Sequence, residues 1–314
     1  MIEVKNLYKK YGDFAAVRGV DFKVKKGRIL GFLGPNGAGK TTTMRIITGY
    51  MPATSGSVTI GTHDIFTKPM EARRHMGYLP EIPPLYPDLT VRQYLRFVAK
   101  IKGVPRREVE ANVDRVIDQC GVRDYENKRI AVMSKGYKQR VGLAQALVSD
   151  PEVLILDEPT IGLDPNQIKE IRGLIRSLAG DHTVILSTHI LPEVTMTCDD
   201  VVIIDQGRVV AADTLENLTK TGGGRARTYL RLAEPNEKTR RLLEDTPGVA
   251  KVEPGAESGV FLVTGEPNLD PSPDIALLVM QQGWGLLEMR HERPTLEEIF
   301  AQLTIGAREG ASHA

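Results

Sequence analysis

The order of apolar and polar residues divides the chain into segments of different secondary structure. In the first thirty residues apolar and polar positions alternate, as in IEVKNLYKKY and VDFKVKKG, which predicts half-buried antiparallel strands. Further along, short apolar runs predict buried strands, each followed by a turn or a helix: RILGFLG, VLILDEP, TVILSTH and VVIIDQGRVV. Strands that alternate with helices in this way form a parallel sheet with helices on its faces.

Two other parts of the chain show different patterns. From about residue 90 to 148 the apolar residues recur with the helical period, in TVRQYLRFVAKIKG, RREVEANVDRVIDQCG and YKQRVGLAQALVSD. After a glycine-rich, basic stretch, KTGGGRART, the strand and helix patterns follow in the order βαββαβ. That order predicts a small α+β domain of the ferredoxin-like type. The last residues, GAREGASHA, have the composition of a disordered tail.

Composition and charge limit the cellular compartments and the kinds of partner that we expect for this protein. The 314 residues include 41 Lys or Arg and 40 Asp or Glu, and this net charge of +1 gives no general field to attract nucleic acid, so we expect no nucleic-acid partner. The start, MIEVKNLYKKYG, lacks the apolar core of a signal peptide, and no apolar run reaches the length of a membrane helix. Cys120 and Cys198 show no metal-ligand spacing and are expected to be partly buried thiols in a reducing compartment. We therefore expect a cytoplasmic protein.

The segment GPNGAGKT matches the phosphate-binding pattern G-x-x-x-x-G-K-[ST] and lies between a predicted strand and a predicted helix. Its glycines let backbone N–H groups converge on phosphate oxygens, and the helix N-terminus adds its dipole. Lys40 is predicted to reach the β- and γ-phosphates, and the Thr41 hydroxyl to ligate Mg²⁺. The predicted nucleotide-binding residues of this P-loop are Gly34, Pro35, Asn36, Gly37, Ala38, Gly39, Lys40, Thr41 and Thr42.

A second motif supplies the carboxylates that hydrolysis of a nucleotide requires. VLILDEP places Asp157 and Glu158 at the end of a buried strand. We predict that Asp157 belongs to the Mg²⁺ shell and that Glu158 polarises the attacking water. An acidic pair at a strand end is common by itself, and the P-loop upstream is what favours the hydrolytic interpretation.

With these motifs in this order, residues 1 to about 220 resemble the ATP-binding cassette (ABC) family of ATPases. MSKGYKQR resembles the signature motif of that family, LSGGQ: Ser134 and Gly136 match it, whereas Lys135 and Tyr137 depart from its second glycine and its glutamine. The resemblance implies that this segment presents its serine and backbone N–H groups to the γ-phosphate bound by the opposite subunit. A plain helix N-cap is the alternative role for Ser134.

The resemblance also assigns roles to single residues elsewhere. Asp164 in IGLDP would line the dimer interface, and His189 in STHI would be the switch histidine that contacts the γ-phosphate. Tyr11 in KYGDF would stack on adenine, with an ordinary edge-strand aromatic as the alternative. Glu81 stands where the family has a glutamine that contacts Mg²⁺ and the attacking water, and solvent exposure is its alternative. The expected catalytic residues are Lys40, Glu158 and His189, and the expected metal ligands are Thr41, Asp157 and Glu81.

The resemblance further implies a fold and a working unit. The fold would be α/β: a P-loop NTPase (RecA-like) core with an antiparallel β subdomain and a helical subdomain at about 88–150, plus the small carboxy-terminal α+β domain. The predicted boundaries are 1–220 for the nucleotide-binding domain, 221–227 for a linker, 228–304 for the accessory domain and 305–314 for the tail. The working unit would be a homodimer or heterodimer of cassettes that closes on ATP and Mg²⁺ and drives a mechanical step.

Three functions fit such a motor: a transporter subunit, a soluble cassette that acts on ribosomes or DNA, and a regulator without turnover. One P-loop with one signature disfavours the translation-factor type, and the lack of sustained heptads disfavours the DNA-repair type. GYLPEIPPLYPDLTVRQYL and PTLEEIF resemble the exporter branch that includes gliding-motility and multidrug-type ATPases. We therefore expect an export ATPase at the cytoplasmic face of the cell membrane, where the proline-rich loop would meet transmembrane permease subunits. The role of the accessory domain, structural or regulatory, stays open.

Overall fold

The computed structural model describes residues 1–221, 225–267, 269–292, 295–301 and 303. Contacts between residues divide the chain into two units, Met1–Leu215 and a second one that begins at Glu216. In the part of the chain that the structure describes, the first unit contains two sheets and the second contains one. Within the described residues, no helix is both long and apolar enough to span a membrane.

An antiparallel sheet of four strands forms one layer of the first unit, in the order β2-β1-β4-β5. Along its longest strands buried and exposed residues alternate in large part, as the sequence pattern predicts. The strands are Ile2–Tyr11 (β1), Phe14–Val24 (β2), Ser55–Ile60 (β4) and His63–Asp64 (β5).

The second sheet of this unit has six strands in the order β10-β9-β3-β8-β7-β6. Every neighbouring pair is parallel except β10 with β9. The central strands are buried along their whole length, which explains why they read as continuous apolar runs. The strands are Ile29–Leu33 (β3), Met76–Leu79 (β6), Val153–Asp157 (β7), Thr183–Thr188 (β8), Asp200–Asp205 (β9) and Arg208–Thr214 (β10).

Helices follow or connect these strands. The three long helices between β6 and β7 are the ones that the helical periodicity predicts, and the first of them begins at a capping box formed by Thr90 and Gln93. The helices of this part of the chain are Lys40–Ile47 (α1), Pro69–Arg74 (α2), Val91–Ile101 (α3), Val109–Gln119 (α4), Lys135–Leu147 (α5), Pro165–Ser177 (α6), Leu191–Thr197 (α7) and Leu215–Thr221 (α8), with 3-10 turns at Arg123–Tyr125 and Ile130–Val132.

A continuous apolar core lies between the two sheets of the first unit. It joins Leu7 and Phe22 of the antiparallel sheet to Phe32 and Ile155 of the parallel sheet, and Met44 of α1 completes it. The rings of Phe22 and Phe32 are 5.3 Å apart between centroids. This packing fixes α1, and with it the P-loop, against both sheets.

The second unit is a four-stranded antiparallel sheet in the order β12-β13-β11-β14. Its core includes Leu230, Val263, Ile275 and Trp284. Residues 296–301 are helical. The other elements are Arg225–Leu232 (β11), Thr239–Glu244 (α9), Val249–Pro254 (β12), Val260–Pro267 (β13), Ser272–Gln282 (α10) and Leu286–Glu292 (β14).

Two predicted segments differ from the structure. The stretch that begins at Gly77 was expected to be a loop, but Gly77–Leu79 belong to β6, where they pair with β7. The predicted linker 221–227 is too long, because Thr221 ends α8 and β11 already begins at Arg225, opposite Pro267 of β13. The prolines of the first segment and the glycines of the second concealed a regular element. Residues 222–224 and the predicted tail 305–314 lie outside the described residues.

Candidate functional site

Three parallel strands end side by side, and the predicted catalytic segments follow directly from their ends. In the order β3-β8-β7, Leu33 is paired with Thr188, and Asp157 is paired with Ser187. The carboxyl ends of the strands therefore lie at one edge of the sheet, where ligands of open α/β folds bind. The topology brings the P-loop, Glu158 and His189 together.

The P-loop curls around the ammonium group of Lys40. Gly39, immediately before α1, has a φ of 102°, and a Cβ atom there would lie 2.5 Å from the carbonyl oxygen of Ala16, so only glycine fits. Lys40 is buried, and its Nζ donates to the carbonyl oxygens of Gly34 at 2.8 Å and Pro35 at 3.3 Å. The loop thus holds a cation at the N-terminus of a helix, which is a site for an anion.

Glu158 is the centre of a short chain of polar groups. One of its carboxylate oxygens lies 3.6 Å from Lys40 Nζ, and both oxygens lie 3.0 Å from Nδ1 of His189. Since an ionised carboxylate only accepts hydrogen bonds, Nδ1 carries the proton in this contact. Glu158 has a φ of 49°, a left-handed conformation that is uncommon for a residue other than glycine. Such backbone strain persists only where the surroundings hold it.

Asp157 is buried, and neither of its carboxylate oxygens has a hydrogen-bond partner of normal geometry among the described residues. Burial raises the pKa of Asp157, and the negative charges of Glu158 and Glu81 raise it further, while the nearby hydroxyls of Ser187 and Thr41 oppose the rise. A buried carboxylate is stabilised either by a proton or by a cation. Asp157 and Thr41 together fit Mg²⁺, which takes one or two protein oxygens and completes its shell with phosphates and water.

The charges around Lys40 are unbalanced. Burial lowers the pKa of Lys40, and Glu158, Asp157 and Glu81 each oppose that shift. Three carboxylates thus surround one lysine in this part of the site. A bound divalent cation and polyphosphate would add their own positive and negative charges beside Lys40 and the three carboxylates, and would therefore change the local charge balance.

A cavity of about 600 Å³ opens beside these groups and is large enough for a nucleotide. Most of the predicted P-loop residues line it, whereas Gly34, Pro35 and Ala38 shape the loop from behind. Three lining residues were missed by the sequence reasoning: Phe14, Ala16 and Ile161. Of these only Phe14 gave a signal, as an aromatic residue just after the Gly12–Asp13 turn. The complete lining is Tyr11, Phe14, Ala16, Asn36, Gly37, Gly39, Lys40, Thr41, Thr42, Glu81, Glu158, Ile161 and His189.

Tyr11 lies at the rim of this cavity. Its ring is 47% exposed, its hydroxyl lies 3.1 Å from Sδ of Met51, and Lys9 Nζ lies 5.3 Å from the ring centroid. Phe14 is also exposed at the rim. The cavity therefore has two aromatic residues against which a flat base would stack.

The predicted signature and dimer-interface residues lie apart from the cavity. Ser134 is the N-cap of α5 and accepts from the N–H of Tyr137 at 3.4 Å, and Asp164 is the N-cap of α6 and accepts from the N–H of Gln167 at 2.9 Å. Gly136 packs so closely that a Cβ atom would lie 2.5 Å from Oε1 of Gln167. Within the described part of this single chain, residues 134–137 and Asp164 do not line the cavity.

Glu81 follows β6 by two residues and lines the same cavity as Lys40. Its side chain is exposed, and its charge is close enough to raise the pKa of Lys40 and of Asp157. Further along the loop, Tyr86 stacks edge-on against Tyr94 and Phe97 of α3. One short loop therefore touches both the cavity and the helical segment.

Comparisons with known proteins agree with this geometry. A family model described as ABC transporter matches residues 17–161. The bacitracin transport ATP-binding protein BcrA of Bacillus licheniformis is 36% identical over 314 residues, 99% of this chain and 99% of BcrA. The linearmycin resistance ATP-binding protein LnrL of Bacillus subtilis (strain 168) is 36% identical over 238 residues, 76% of each chain. The dimeric structure of the bacterial ABC transporter cassette MJ0796 is 25% identical with a TM-score of 0.63, covering 68% of this chain and 99% of that chain.

Proposed function

The chain belongs to the ABC transporter family as an ATP-binding subunit and ATPase, and from that premise we propose how its residues bind and hydrolyse ATP. The backbone N–H groups of residues 34–42 and the N-terminus of α1 bind the phosphates, and Tyr11 stacks on the base. Lys40 neutralises the β- and γ-phosphates, which offer it stronger acceptors than the carbonyls of Gly34 and Pro35.

The catalytic base in this proposal is Glu158. Its carboxylate faces the cavity and accepts a proton from the water that attacks the γ-phosphate. His189 donates from Nδ1 to Glu158 and thereby holds the carboxylate in place. With a proton on both ring nitrogens, the imidazolium would also donate from Nε2 to the γ-phosphate. The observation that carries the proposal is this contact sequence, Lys40 to Glu158 to His189, on the wall of one cavity beside the unpartnered Asp157.

Asp157 and Thr41 would hold the Mg²⁺ of this site, and Glu81 is the third proposed ligand. The unpartnered oxygens of Asp157 support the assignment, because a buried carboxylate that ligates a cation is no longer an uncompensated charge. When bound, Mg²⁺ neutralises phosphate charge and orients the phosphates for in-line attack.

The working unit is a dimer of cassettes, homodimeric or heterodimeric, in which residues 134–137 and Asp164 of one copy complete the cavity of the other. Two facts support this arrangement: these residues do not line their own cavity within the described chain, and the related cassette MJ0796 is dimeric. Ser134 caps α5, a helix of thirteen residues, and the N-terminus of this helix is a site at which the phosphate bound by the partner copy would bind.

Replacement of the base tests the proposal. Glu158→Gln should leave ATP binding intact, lower hydrolysis by about a hundredfold or more, and trap an ATP-bound dimer that gel filtration detects. Glu152→Gln, which changes the residue just before the start of β7, is the control and should hydrolyse ATP like the parent. Unchanged hydrolysis in Glu158→Gln would refute the catalytic assignment.

We assign the transport partner to transmembrane permease subunits at the cytoplasmic face of the membrane. Four apolar side chains on the loop and α3 are exposed: Ile82, Tyr86, Phe97 and Ile101. This apolar surface fits the cytoplasmic helices of a permease. The names of BcrA and LnrL, transport and resistance proteins, favour export over a soluble role on ribosomes or DNA. Ile82→Glu should lower co-purification with the permease more than Val132→Glu, which changes an equally exposed residue elsewhere.

The second unit is proposed to be a ferredoxin-like accessory domain. Its strand order, β12-β13-β11-β14, with every neighbouring pair antiparallel, is the order of that fold. A regulatory role for this domain predicts that deletion of residues 222–314 changes the ATPase rate or its response to the permease. An unchanged rate and response would count against regulation.

A further inference from the structure

A buried carboxylate on α7 bridges the loop after β7 and the loop after β8. Glu193 is 1% exposed. One of its oxygens, Oε1, accepts from the hydroxyl of Thr160, and the other, Oε2, accepts from the hydroxyl of Thr188 at 2.7 Å. Thr160 follows Glu158 by two residues, and Thr188 immediately precedes His189.

The hydrogen-bond directions in this cluster are fixed. The hydroxyl of Thr188 accepts from the N–H of Ile190 at 3.1 Å, so its own proton points to Glu193. An ionised carboxylate accepts from both threonines at once, and hydrogen bonds to a buried ionised group are the strong ones. Among the described residues, Arg172 of α6 is the cation closest to Glu193, with its NH2 at 4.0 Å from Oε1. The two hydroxyls are therefore the direct partners of this carboxylate.

The contacts of Glu193 lie next to the strained backbone of Glu158. Glu158 is in a left-handed conformation, held on one side by the bond from its N–H to the carbonyl of Ser187 at 2.9 Å. The turn that follows is closed by the bond from Ile161 N–H to the carbonyl of Glu158 at 3.2 Å, and Thr160 lies within that turn. Anchoring Thr160 and Thr188 to the same carboxylate fixes the spacing of the two loops that carry Glu158 and His189.

We infer that Glu193 is a positioning residue for ATP hydrolysis, which sets the contact between Glu158 and His189 through Thr160 and Thr188. The inference rests on the roles proposed above for Glu158 and His189. It predicts a loss of turnover without a loss of nucleotide binding, because residues 34–42 and Tyr11, which bind the nucleotide, belong to other segments.

The test uses the full chain and removes the two hydroxyls while keeping side-chain shape. Thr160→Val with Thr188→Val should lower kcat about 10- to 100-fold and leave the KM for ATP within about threefold, since a misplacement near 1 Å costs up to about a hundredfold in rate. Glu193→Gln should keep most of the rate, because an amide still accepts at one oxygen and a threonine hydroxyl can accept from its NH₂. Glu193→Leu added to the valine pair should lower kcat by less than about threefold further.

Controls separate positioning from general stability. Thr183→Val changes a buried threonine at the start of the same strand β8, whose hydroxyl accepts from Gly27 N–H, and should lower the melting temperature without lowering kcat. A valine pair with kcat within twofold of the parent, or with KM raised as much as kcat falls, would overturn the inference. Glu158→Gln in the same series reports on the proposed catalytic roles themselves, so failure of one assignment is distinguishable from failure of the other.

Discussion

Asp157→Asn should make the nucleotide-free protein more stable and the nucleotide-bound protein less responsive to Mg²⁺. The substitution keeps the shape of the side chain and removes its charge. In the free protein this charge is buried, has no hydrogen-bond partner of normal geometry, and shares a single lysine with Glu158 and Glu81. Removing it therefore relieves desolvation and repulsion, and sacrifices only part of the attraction to Lys40.

The size of the effect follows from the charge alone, because the amide that replaces the carboxylate is also a buried polar group. A buried group without hydrogen-bond partners costs more when it is charged, and we take this extra cost as about 1 kcal/mol. For a unit the size of Met1–Leu215, each 1 kcal/mol shifts the melting temperature by about 2–4 °C, so the variant should melt roughly 2–4 °C above the parent in EDTA. With MgATP at about 100 times its Kd the parent gains about 2.7 kcal/mol, and the variant should lose most of that gain.

Thermal unfolding in EDTA, in ATP with EDTA, and in MgATP measures both effects. Glu158→Gln is the matched comparison, since it neutralises the next carboxylate, which is equally buried but is paired with Lys40 and His189. It should not stabilise the free protein, because it removes those attractions. A free Asp157→Asn protein that melts below the parent, or one that still gains full stability from Mg²⁺, would refute the reasoning.

The other predictions concern stacking on the nucleotide base, a close backbone contact at Gly77 and the buried Lys102. Tyr11→Ala should weaken ATP binding about 2- to 10-fold through lost stacking, whereas Tyr11→Phe should bind like the parent in a fluorescence titration. Gly77→Ala should lower the free energy of unfolding, measured with urea, by about 3 kcal/mol or more, because the new Cβ would lie 2.1 Å from the carbonyl oxygen of Ala146. The control is Gly173→Ala in α6, where a Cβ meets open space, and this change should be neutral or stabilising. Burial lowers the pKa of Lys102, so the charged lysine destabilises the folded state at pH values below that pKa. This cost disappears as the pH rises toward 10.5, the ordinary pKa of lysine. Between pH 7 and pH 10, the melting temperature of the parent should therefore rise relative to that of Lys102→Met, but not relative to that of Lys100→Met.

Local sequence patterns were sufficient to predict the parallel strands and membership of the ABC family, and to place the predicted catalytic residues at the strand ends. The reason is that the P-loop and Glu158 directly follow buried strands and Asp157 ends one, and parallel strands bring such ends together. Glu193 could not be predicted, because a carboxylate in the first turn of a short helix has the pattern of a solvated residue until Thr160 and Thr188 are seen against it. The signature residues were found by their order along the chain, and their role in a second copy stays a prediction.

The stretch from Gly77 to Leu89 shows how one segment can connect two surfaces. Its first residues form β6, which pairs Leu79 with Leu156, next to Asp157. Glu81 then lines the nucleotide cavity, and five residues later Tyr86 packs on α3 within the apolar surface assigned to the permease. Because the prolines between these points restrict backbone freedom, we expect a shift of Glu81 toward bound nucleotide to move Tyr86 as well. We therefore expect Glu81→Gln, which changes the charge at one end only, to alter Mg²⁺ dependence and permease-stimulated ATPase together; a change in neither would show that the charge is incidental.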